Sequence, residues 1–139
     1  SEIAQYAKVD TAASRLLRAV TPGAYTFLLP ATREVPRRLQ HPKRRTIGIR
    51  VPEHPVAQGL LEALGEPLMS CTLLLPGEAD PPTDAESIAA ALGRGVDLIL
   101  DGGPCGFEPT TVVDLFGEVP VVVRAGKGPL APLGLDGVD

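Results

Sequence analysis

The sequence predicts an α/β fold, a twisted and open mixed sheet with helices packed on it. Helical and strand-like segments alternate through the first two thirds of the chain, and strand-like segments then follow one another. Proline and glycine, 15 of each, separate these segments. With 139 residues, 44% of them hydrophobic, the chain is long enough for one domain over 1–139 with a buried core.

The helices are predicted from capping residues and apolar periodicity. Asp10 is a suitable N-cap, Pro55 suits the first helical position, and Thr83 with Glu86 matches a capping box in which Thr83 is the cap. Gly65 and Gly93 are expected to end the two helices that follow these last signals. The predicted helical segments are 2–6, 11–20, 34–40, 55–64 and 84–92.

Strands are predicted where β-branched and other apolar residues cluster between turns. The run 68–75 is almost continuously apolar, which indicates a strand buried on both faces. The chain after Gly126 is rich in glycine and proline and is expected to be irregular. The predicted strands are 25–29, 46–51, 68–75, 96–100, 111–115 and 119–124.

Two of these strands carry side chains suited to binding an anion. Arg50 closes the strand 46–51, and Ser70 and Thr72 lie on the strand 68–75. Ligands bind at strand ends in open α/β sheets, and a guanidinium beside hydroxyls suits phosphate or carboxylate. The alternative is that Arg50 is a surface charge and that the hydroxyls only cap strands.

The net charge of −4 is unevenly distributed. Only Glu34 opposes a local basic cluster on an otherwise acidic chain, which indicates a phosphate or polyanion partner such as RNA. The alternative is a solvated loop. Aromatic residues make up 4% of the chain and tryptophan is absent, which argues against a stacking platform for single-stranded nucleic acid. The cluster contains seven of the 13 basic residues: Arg33, Arg37, Arg38, Lys43, Arg44, Arg45 and Arg50.

Other classes of function leave no signal in the sequence. No apolar run reaches 18 residues, so no membrane partner is expected, and two cysteines without a pairing framework indicate reduced thiols in the cytoplasm. No metal-ligand spacing, phosphate loop or catalytic triad is present. Asp97, Asp101 and Asp114 can hold Mg²⁺ beside a nucleotide, or simply be solvated. The chain begins with Ser1, and we expect it to be part of a longer protein.

Three segments together resemble the YrdC/YciO family, most closely its YciO branch. The resemblance covers nearly the whole chain and implies the family's open α/β sheet with a concave, positively lined face. It also implies that the N-terminal part of the family fold, with its Lys-x-Arg motif, is lacking. The segments are TPGAYTFLLPAT at 21–32, TIGIRVPEHP and PLMSCTLLLPG within 46–77, and DLILDGGPCGFEPTTVVDL at 97–115, with VVVRAGKG at 121–128 in agreement.

The resemblance implies ligands and site residues. YrdC-type members make threonylcarbamoyl-adenylate from threonine, bicarbonate and ATP, for a modified adenosine in tRNA. Arg50 and Arg124 then resemble contacts to phosphate, and ATP, alone or with Mg²⁺, is the implied cofactor. The nucleotide and substrate residues are Thr26, Arg50, Ser70, Thr72, Thr110 and Arg124. The RNA-binding residues, for double-stranded RNA or tRNA, are Arg37, Arg38, Lys43, Arg44 and Arg45.

One substitution separates this chain from the YrdC-type enzymes. Leu74 stands where those enzymes carry an asparagine, so an amide contact to ligand is lost, and YciO-type members share this change. Three interpretations follow: a protein that binds RNA, a nucleotide or both; a threonylcarbamoyl-AMP synthase; or a non-catalytic structural remnant. No catalytic residue is assigned. Without the N-terminal strands a sheet edge is expected to be exposed, which favours a homo-oligomer.

Overall fold

The computed structural model describes residues 2–134, and their contacts form two compact units. Residues 2–53 and 109–134 form the first unit, and residues 54–108 form the second. The first unit contains α1 (Ile3–Tyr6), α2 (Thr11–Val20), β1 (Tyr25–Pro30), β2 (Thr46–Ile49), β3 (Thr111–Asp114), β4 (Val121–Arg124) and the 3₁₀ turns Arg37–Leu39 and Ala131–Leu133. The second unit contains α3 (Pro55–Leu64) and α4 (Ala85–Leu92).

The four strands of the first unit form one mixed sheet in the order β2-β1-β3-β4. β1 and β3 run parallel, and the two outer strands run antiparallel to them. The register places Thr26 beside Val112 and Val112 beside Arg124. The predicted α/β class with a mixed sheet is therefore confirmed, and β2 and β4 are its edge strands.

The two faces of this sheet differ in burial. Residues of β1 alternate between buried and half-buried, as expected when one face of a sheet meets the core. Phe27, Leu29 and Val113 are at most 1% exposed and form the core face. On the opposite face, which we call the outer face, lie Thr26, Leu28, Gly48, Val112 and Asp114.

Helix α2 covers the core face. Asp10 is its N-cap, as predicted, because the Asp10 Oδ1 atom accepts a hydrogen bond of 2.7 Å from the Ala13 amide. Ala13, Leu17 and Val20 recur at helical spacing and are buried in the same cluster as β1 and β3. This packing explains why the helix forms where its sequence predicts it.

The segment after β4 folds back over the core. The Tyr25 hydroxyl donates to the Pro129 carbonyl at 2.6 Å, and the wholly buried Thr111 hydroxyl donates to the Gly128 carbonyl at 2.7 Å. Leu133 is buried in the main cluster. This segment, expected to be irregular, therefore contributes one helical turn and a core residue; residues 135–139 lie outside the described part.

In the second unit the helices match their signals more closely than the strands do. Helix α3 begins after His54, whose Nδ1 atom accepts from the Val56 amide at 3.1 Å, and Gly65 ends it with a φ of 75°. The predicted cap of α4 is wrong by one residue, since Asp84 and not Thr83 accepts from the Ser87 amide. A carboxylate in the adjacent position binds that amide, which leaves the Thr83 hydroxyl without the capping role.

The predicted strands at 68–75 and 96–100 are wrong. Neither segment pairs with another strand, and none of the described residues 54–108 is buried. Met69 is 78% exposed and Leu98 75%. An apolar run shows that a segment is hydrophobic, but a strand forms only where a second backbone segment supplies hydrogen-bonding partners.

Candidate functional site

Three predicted ligand-binding residues meet on the outer face, at the end of the sheet where β1 and β3 begin. The hydroxyl oxygens of Thr26 and Thr110 lie 2.8 Å apart, although the residues are 84 positions apart in sequence. Arg124 donates to the Thr110 carbonyl from Nε at 3.0 Å and from Nη2 at 2.8 Å, and Nη2 also lies 3.1 Å from the Thr110 hydroxyl oxygen. We call these three residues the hydroxyl–guanidinium cluster.

The cluster presents hydrogen-bond donors. The two threonine hydroxyls have two hydrogens, and only one is used in the bond between them, so one remains for a ligand. Within the described residues the Nη1 group of Arg124 has no partner. This set suits an oxygen acceptor such as a carboxylate or phosphate, but the two bonds to the Thr110 carbonyl hold the guanidinium and reduce the fork it can offer.

Arg50 lies at the same end of the sheet, where β1 and β3 begin. It follows the last residue of β2, and a 2.9 Å hydrogen bond from the Gly23 amide to the Val51 carbonyl brings this end of β2 beside the start of β1. The Arg50 side chain is exposed and makes no hydrogen bond or ion pair within residues 2–134. Arg50, after β2, and Arg124, at the end of β4, therefore lie at the same end of the sheet, where β1 and β3 begin.

Ser70 and Thr72 belong to the second unit and are exposed there, in a segment without regular structure. Their predicted position on a strand is wrong for the reason given above. Leu74 is also exposed in this segment. The roles of Ser70 and Thr72 in ligand binding remain predictions.

The loop that joins β1 to β2 lies at the opposite end of the sheet, where β1 and β3 finish. We call residues 31–45 the basic loop. Its base is closed by a 2.9 Å bond from the Ala31 amide to the Arg45 carbonyl, and Val35 is buried. The His41 Nδ1 atom accepts from the amides of Lys43 and Arg44, at 3.2 and 3.1 Å. These bonds give the loop a defined conformation.

The basic loop concentrates positive charge. Six exposed basic side chains lie on it, and within residues 2–134 only Arg44 forms an ion pair. The other five are therefore uncompensated by contact with a carboxylate. These side chains are Arg33, Arg37, Arg38, Lys43 and Arg45.

Arg44 joins the basic loop to the end of β3. Its Nη2 atom lies 2.8 Å from the Asp114 Oδ2 atom, and its guanidinium carbon lies 4.7 Å from the centre of the Phe116 ring. The Asp114 Oδ1 atom accepts from the Phe116 amide at 2.9 Å. Some of the Arg44 donors are therefore already engaged, and its role in RNA binding remains a prediction.

Sequence reasoning did not connect Asp114 and Phe116 with the basic loop. The sequence suggests Asp114 as a ligand for Mg²⁺, but in the structure Asp114 pairs with Arg44. No group of three acidic, histidine or cysteine side chains suited to a metal occurs in the described part of the chain. The parallel pairing of β1 and β3 brings these residues together, because the carboxyl ends of both strands lie at the same end of the sheet.

The basic loop and the hydroxyl–guanidinium cluster are separate sites. Along β3 they are four residue steps apart, from Thr110 to Asp114, or roughly 13 Å at the usual rise of a strand. Arg50, which the sequence groups with the basic cluster, lies at the other end of the sheet. The basic cluster of the sequence is thus divided between the two ends of the sheet.

A four-stranded mixed sheet with a helix packed on one face defines an α/β protein. The comparison with protein families is more specific: the chain belongs to the Sua5/YciO/YrdC family, whose model, described as "Telomere recombination", matches residues 1–126. None of the helices between residues 2 and 134 combines the length and apolar character needed to cross a bilayer.

Relatives of two kinds are found among known proteins. "Uncharacterized protein YciO" of Escherichia coli K12 is 54% identical over 132 residues, which are 95% of this chain and 64% of that protein. "Threonylcarbamoyl-AMP synthase" of Bacillus subtilis is 33% identical over 115 residues, 82% of this chain and 33% of that protein. The chain thus spans less than two thirds of the length of these relatives.

Solved structures show the same fold. The crystal structure of E. coli YciO matches with a TM-score of 0.88 at 53% identity, covering 94% of this chain and 64% of that one. Sua5 of Pyrococcus abyssi, complexed with L-threonine, matches with a TM-score of 0.85 at 29% identity. That match covers 97% of this chain and 40% of Sua5.

Proposed function

We propose that this protein binds RNA through its phosphates, in the form of tRNA or double-stranded RNA. The observation that supports this most strongly is the basic loop, where five exposed cations lack an acidic partner among residues 2–134 while the whole chain carries a net charge of −4. Phosphate contacts supply most of the affinity in such complexes. The proposed contacts are Arg37, Arg38, Lys43 and Arg45, with Arg44 contributing through its remaining donors.

The conformation of the loop favours this function. Backbone bonds at its base and the two bonds to His41 hold the cations before a ligand arrives. A binding surface that is already ordered loses less conformational entropy when it binds.

The free thiols of Cys71 and Cys105 are consistent with a reducing compartment, and we place the binding in the cytoplasm.

The test is a fluorescence-anisotropy titration with labelled tRNA and with a labelled RNA duplex. Four phosphate contacts predict that the affinity falls by about 10²-fold between 50 and 200 mM salt. A variant in which Arg37, Arg38, Lys43 and Arg45 are all changed to glutamate should lose binding and this salt dependence.

A matched control separates the loop from net charge. Changing Arg15, Arg18, Arg94 and Lys127 to glutamate alters the total charge equally, and these exposed residues lie outside the basic loop. This control should retain most of its affinity. Wild-type affinity in the loop variant, or equal losses in both variants, would show that the basic loop is not the RNA site.

A second proposed function is the binding of a small anionic ligand at the hydroxyl–guanidinium cluster. The donors of Thr26, Thr110 and Arg124 converge there, with Arg50 at the same end of the sheet. The related Sua5 structure contains L-threonine, so threonine and ATP, with or without Mg²⁺, are the ligands to test. Threonylcarbamoyl-AMP synthesis is the corresponding activity, and its absence would favour a non-catalytic remnant.

Calorimetry decides this second proposal. Heat on titration with ATP or L-threonine should be reduced in Arg50→Gln and in Thr110→Val. No heat from either ligand in the wild type would remove the proposal. Release of pyrophosphate from ATP in the presence of threonine and bicarbonate separates turnover from binding alone.

Self-association is a further proposal, through the edge strand β4. Val121 and Val123 are 56% and 59% exposed on this strand, and an unpaired edge offers backbone groups to a second chain. The expected form is a homo-oligomer whose population rises with protein concentration.

A further inference from the structure

We propose that the basic loop binds RNA beside an unpaired nucleotide and that the base of this nucleotide stacks on Phe116. The inference rests on the proposed RNA binding and specifies the kind of RNA. Phe116 lies at the carboxyl end of β3, beside the loop, and is 47% exposed. It is the aromatic residue in direct contact with a cation of this loop.

The ring of Phe116 is held in position before any ligand binds. Its backbone amide donates to the Asp114 Oδ1 atom at 2.9 Å. The guanidinium of Arg44 packs over the ring at 4.7 Å and is itself fixed by the 2.8 Å ion pair with Asp114. An ordered aromatic surface with a fixed cation is suited to stacking on the electron-rich face of a base.

A groove next to Phe116 provides space for a base. Its volume is about 340 Å³, within the range of small-ligand sites. Leu29 and Pro30 from β1, with Leu115 and Phe116 after β3, form much of its apolar wall, and Lys8 lies at its margin. These aliphatic side chains beside an aromatic ring suit the face of a nucleobase, and the carboxylate of Asp10, which also lines the groove, disfavours a phosphate in it.

Charge determines which way the nucleotide lies. The cations of the basic loop and Lys8 are on the side where the phosphates are proposed to bind. A second groove of about 350 Å³ shares Asp10, Ala13 and Leu115 with the first and is also lined by Glu118 and Arg15. Asp10 lines both grooves, and Glu118 adds a second carboxylate to this one, which disfavours phosphate there. The base therefore enters the first groove while the phosphates remain on the basic loop.

One stacked base is enough for this mode of recognition. Aromatic residues, 4% of the chain, are too few for an extended platform that stacks a single strand. A single stack still contributes about 5- to 150-fold in affinity. An unpaired base is free to stack on Phe116, whereas a paired base is not. The protein should therefore bind RNA with an unpaired nucleotide more tightly than a continuous duplex.

The first experiment compares two RNA hairpins of equal length, each closed by a non-nucleotide linker in place of a loop, one fully paired and one with a single unpaired adenosine in its stem. The wild type is expected to bind the second about 5- to 150-fold more tightly. Phe116→Ala and Phe116→Leu should abolish this preference, and Phe116→Tyr should retain it. Equal affinity of the wild type for both hairpins, or an undiminished preference in Phe116→Ala, would overturn the inference.

These outcomes are distinct from failure of the proposed function. If neither hairpin binds, RNA binding itself is disproved. If both bind equally and with strong salt dependence, RNA binding stands and the stacking site does not exist.

Fluorescence provides an independent readout. The chain contains no tryptophan, so Phe116→Trp introduces a single reporter at the proposed stacking position. The hairpin with the unpaired adenosine should quench its emission, and the paired hairpin should not. Equal quenching by both hairpins, or none despite measured binding, contradicts stacking.

Asp114→Asn tests the positioning role of the ion pair. The variant keeps an oxygen that can accept from the Phe116 amide but loses the carboxylate paired with Arg44. Removing a negative charge would by itself strengthen binding of both hairpins. We expect the preference for the unpaired nucleotide to decrease instead, because Arg44 no longer fixes the ring. A preference equal to that of the wild type would exclude this positioning role.

Discussion

Replacing Thr111 by valine tests the assignment of the two sheet faces. Thr111 is 0% exposed, and its hydroxyl donates to the Gly128 carbonyl at 2.7 Å and accepts from the Gly126 amide at 3.0 Å. Valine has nearly the same shape, so the change leaves no cavity but removes both bonds. A buried group left without a partner costs about 1–3 kcal/mol. Because Gly128 is buried and Gly126 is partly exposed, we expect a loss of about 2–3 kcal/mol.

This loss corresponds to a decrease in Tm of about 6–12 °C for a chain of this size. Thermal and urea unfolding monitored by circular dichroism measure it. The control is Thr110→Val, the same chemical change one position earlier. The Thr110 hydroxyl faces Thr26 and Arg124 on the half-buried side, where water can replace its bonds.

Thr110→Val should therefore cost less than about 1 kcal/mol in stability while reducing ligand binding at the hydroxyl–guanidinium cluster. Thr111→Val should show the opposite pattern. The assignment of the two faces is refuted if both variants lose equal stability. It is also refuted if Thr111→Val unfolds within about 0.5 kcal/mol of the wild type.

Three further predictions concern packing, pH and association. Gly128→Ala should cost about 1–3 kcal/mol, because the new Cβ would lie 2.6 Å from the Tyr25 ring; an unchanged melting curve would contradict this. Hydrogen bonds from the Ser87 amide and then its hydroxyl lower the pKa of Asp84. The stability this cap contributes is thus complete above the unfolded pKa of about 3.9 and is lost as pH falls through the lowered folded value. A pH titration of the Ser87 amide by NMR should show the loss in the wild type and not in Asp84→Asn, and a transition in both would refute it. Val123→Lys should reduce the mass measured by light scattering at high concentration, and a wild-type mass independent of concentration would argue against the β4 edge as an interface.

Local signals in the sequence were sufficient for the helices. Asp10 and His54 cap the helices they precede, and Gly65 adopts the positive φ that ends α3. Each of these effects involves residues within one turn of the helix. The α4 cap shows the limit of this reasoning, because Thr83 and Asp84 are adjacent and both are suitable caps.

The remainder depends on pairing between distant segments. The run 68–75 is as apolar as a buried strand, but its backbone pairs with no other described segment. Thr26 and Thr110 meet only because β1 pairs with β3 in a particular register. The same pairing brings the basic loop to Asp114. Composition and periodicity do not specify register, so the sequence alone does not show that Thr26 and Thr110 meet at one end of the sheet while the basic loop lies at the other.

The most direct test of the account is a map of the RNA contact by NMR. Amide chemical shifts of the isotope-labelled protein are recorded as the hairpin with an unpaired adenosine is added. If RNA binds at the basic loop and stacks on Phe116, the largest changes occur from Arg37 to Arg45 and at Phe116. Changes concentrated on the outward side of α2 or on α3 and α4, with the basic loop unaffected, would contradict it.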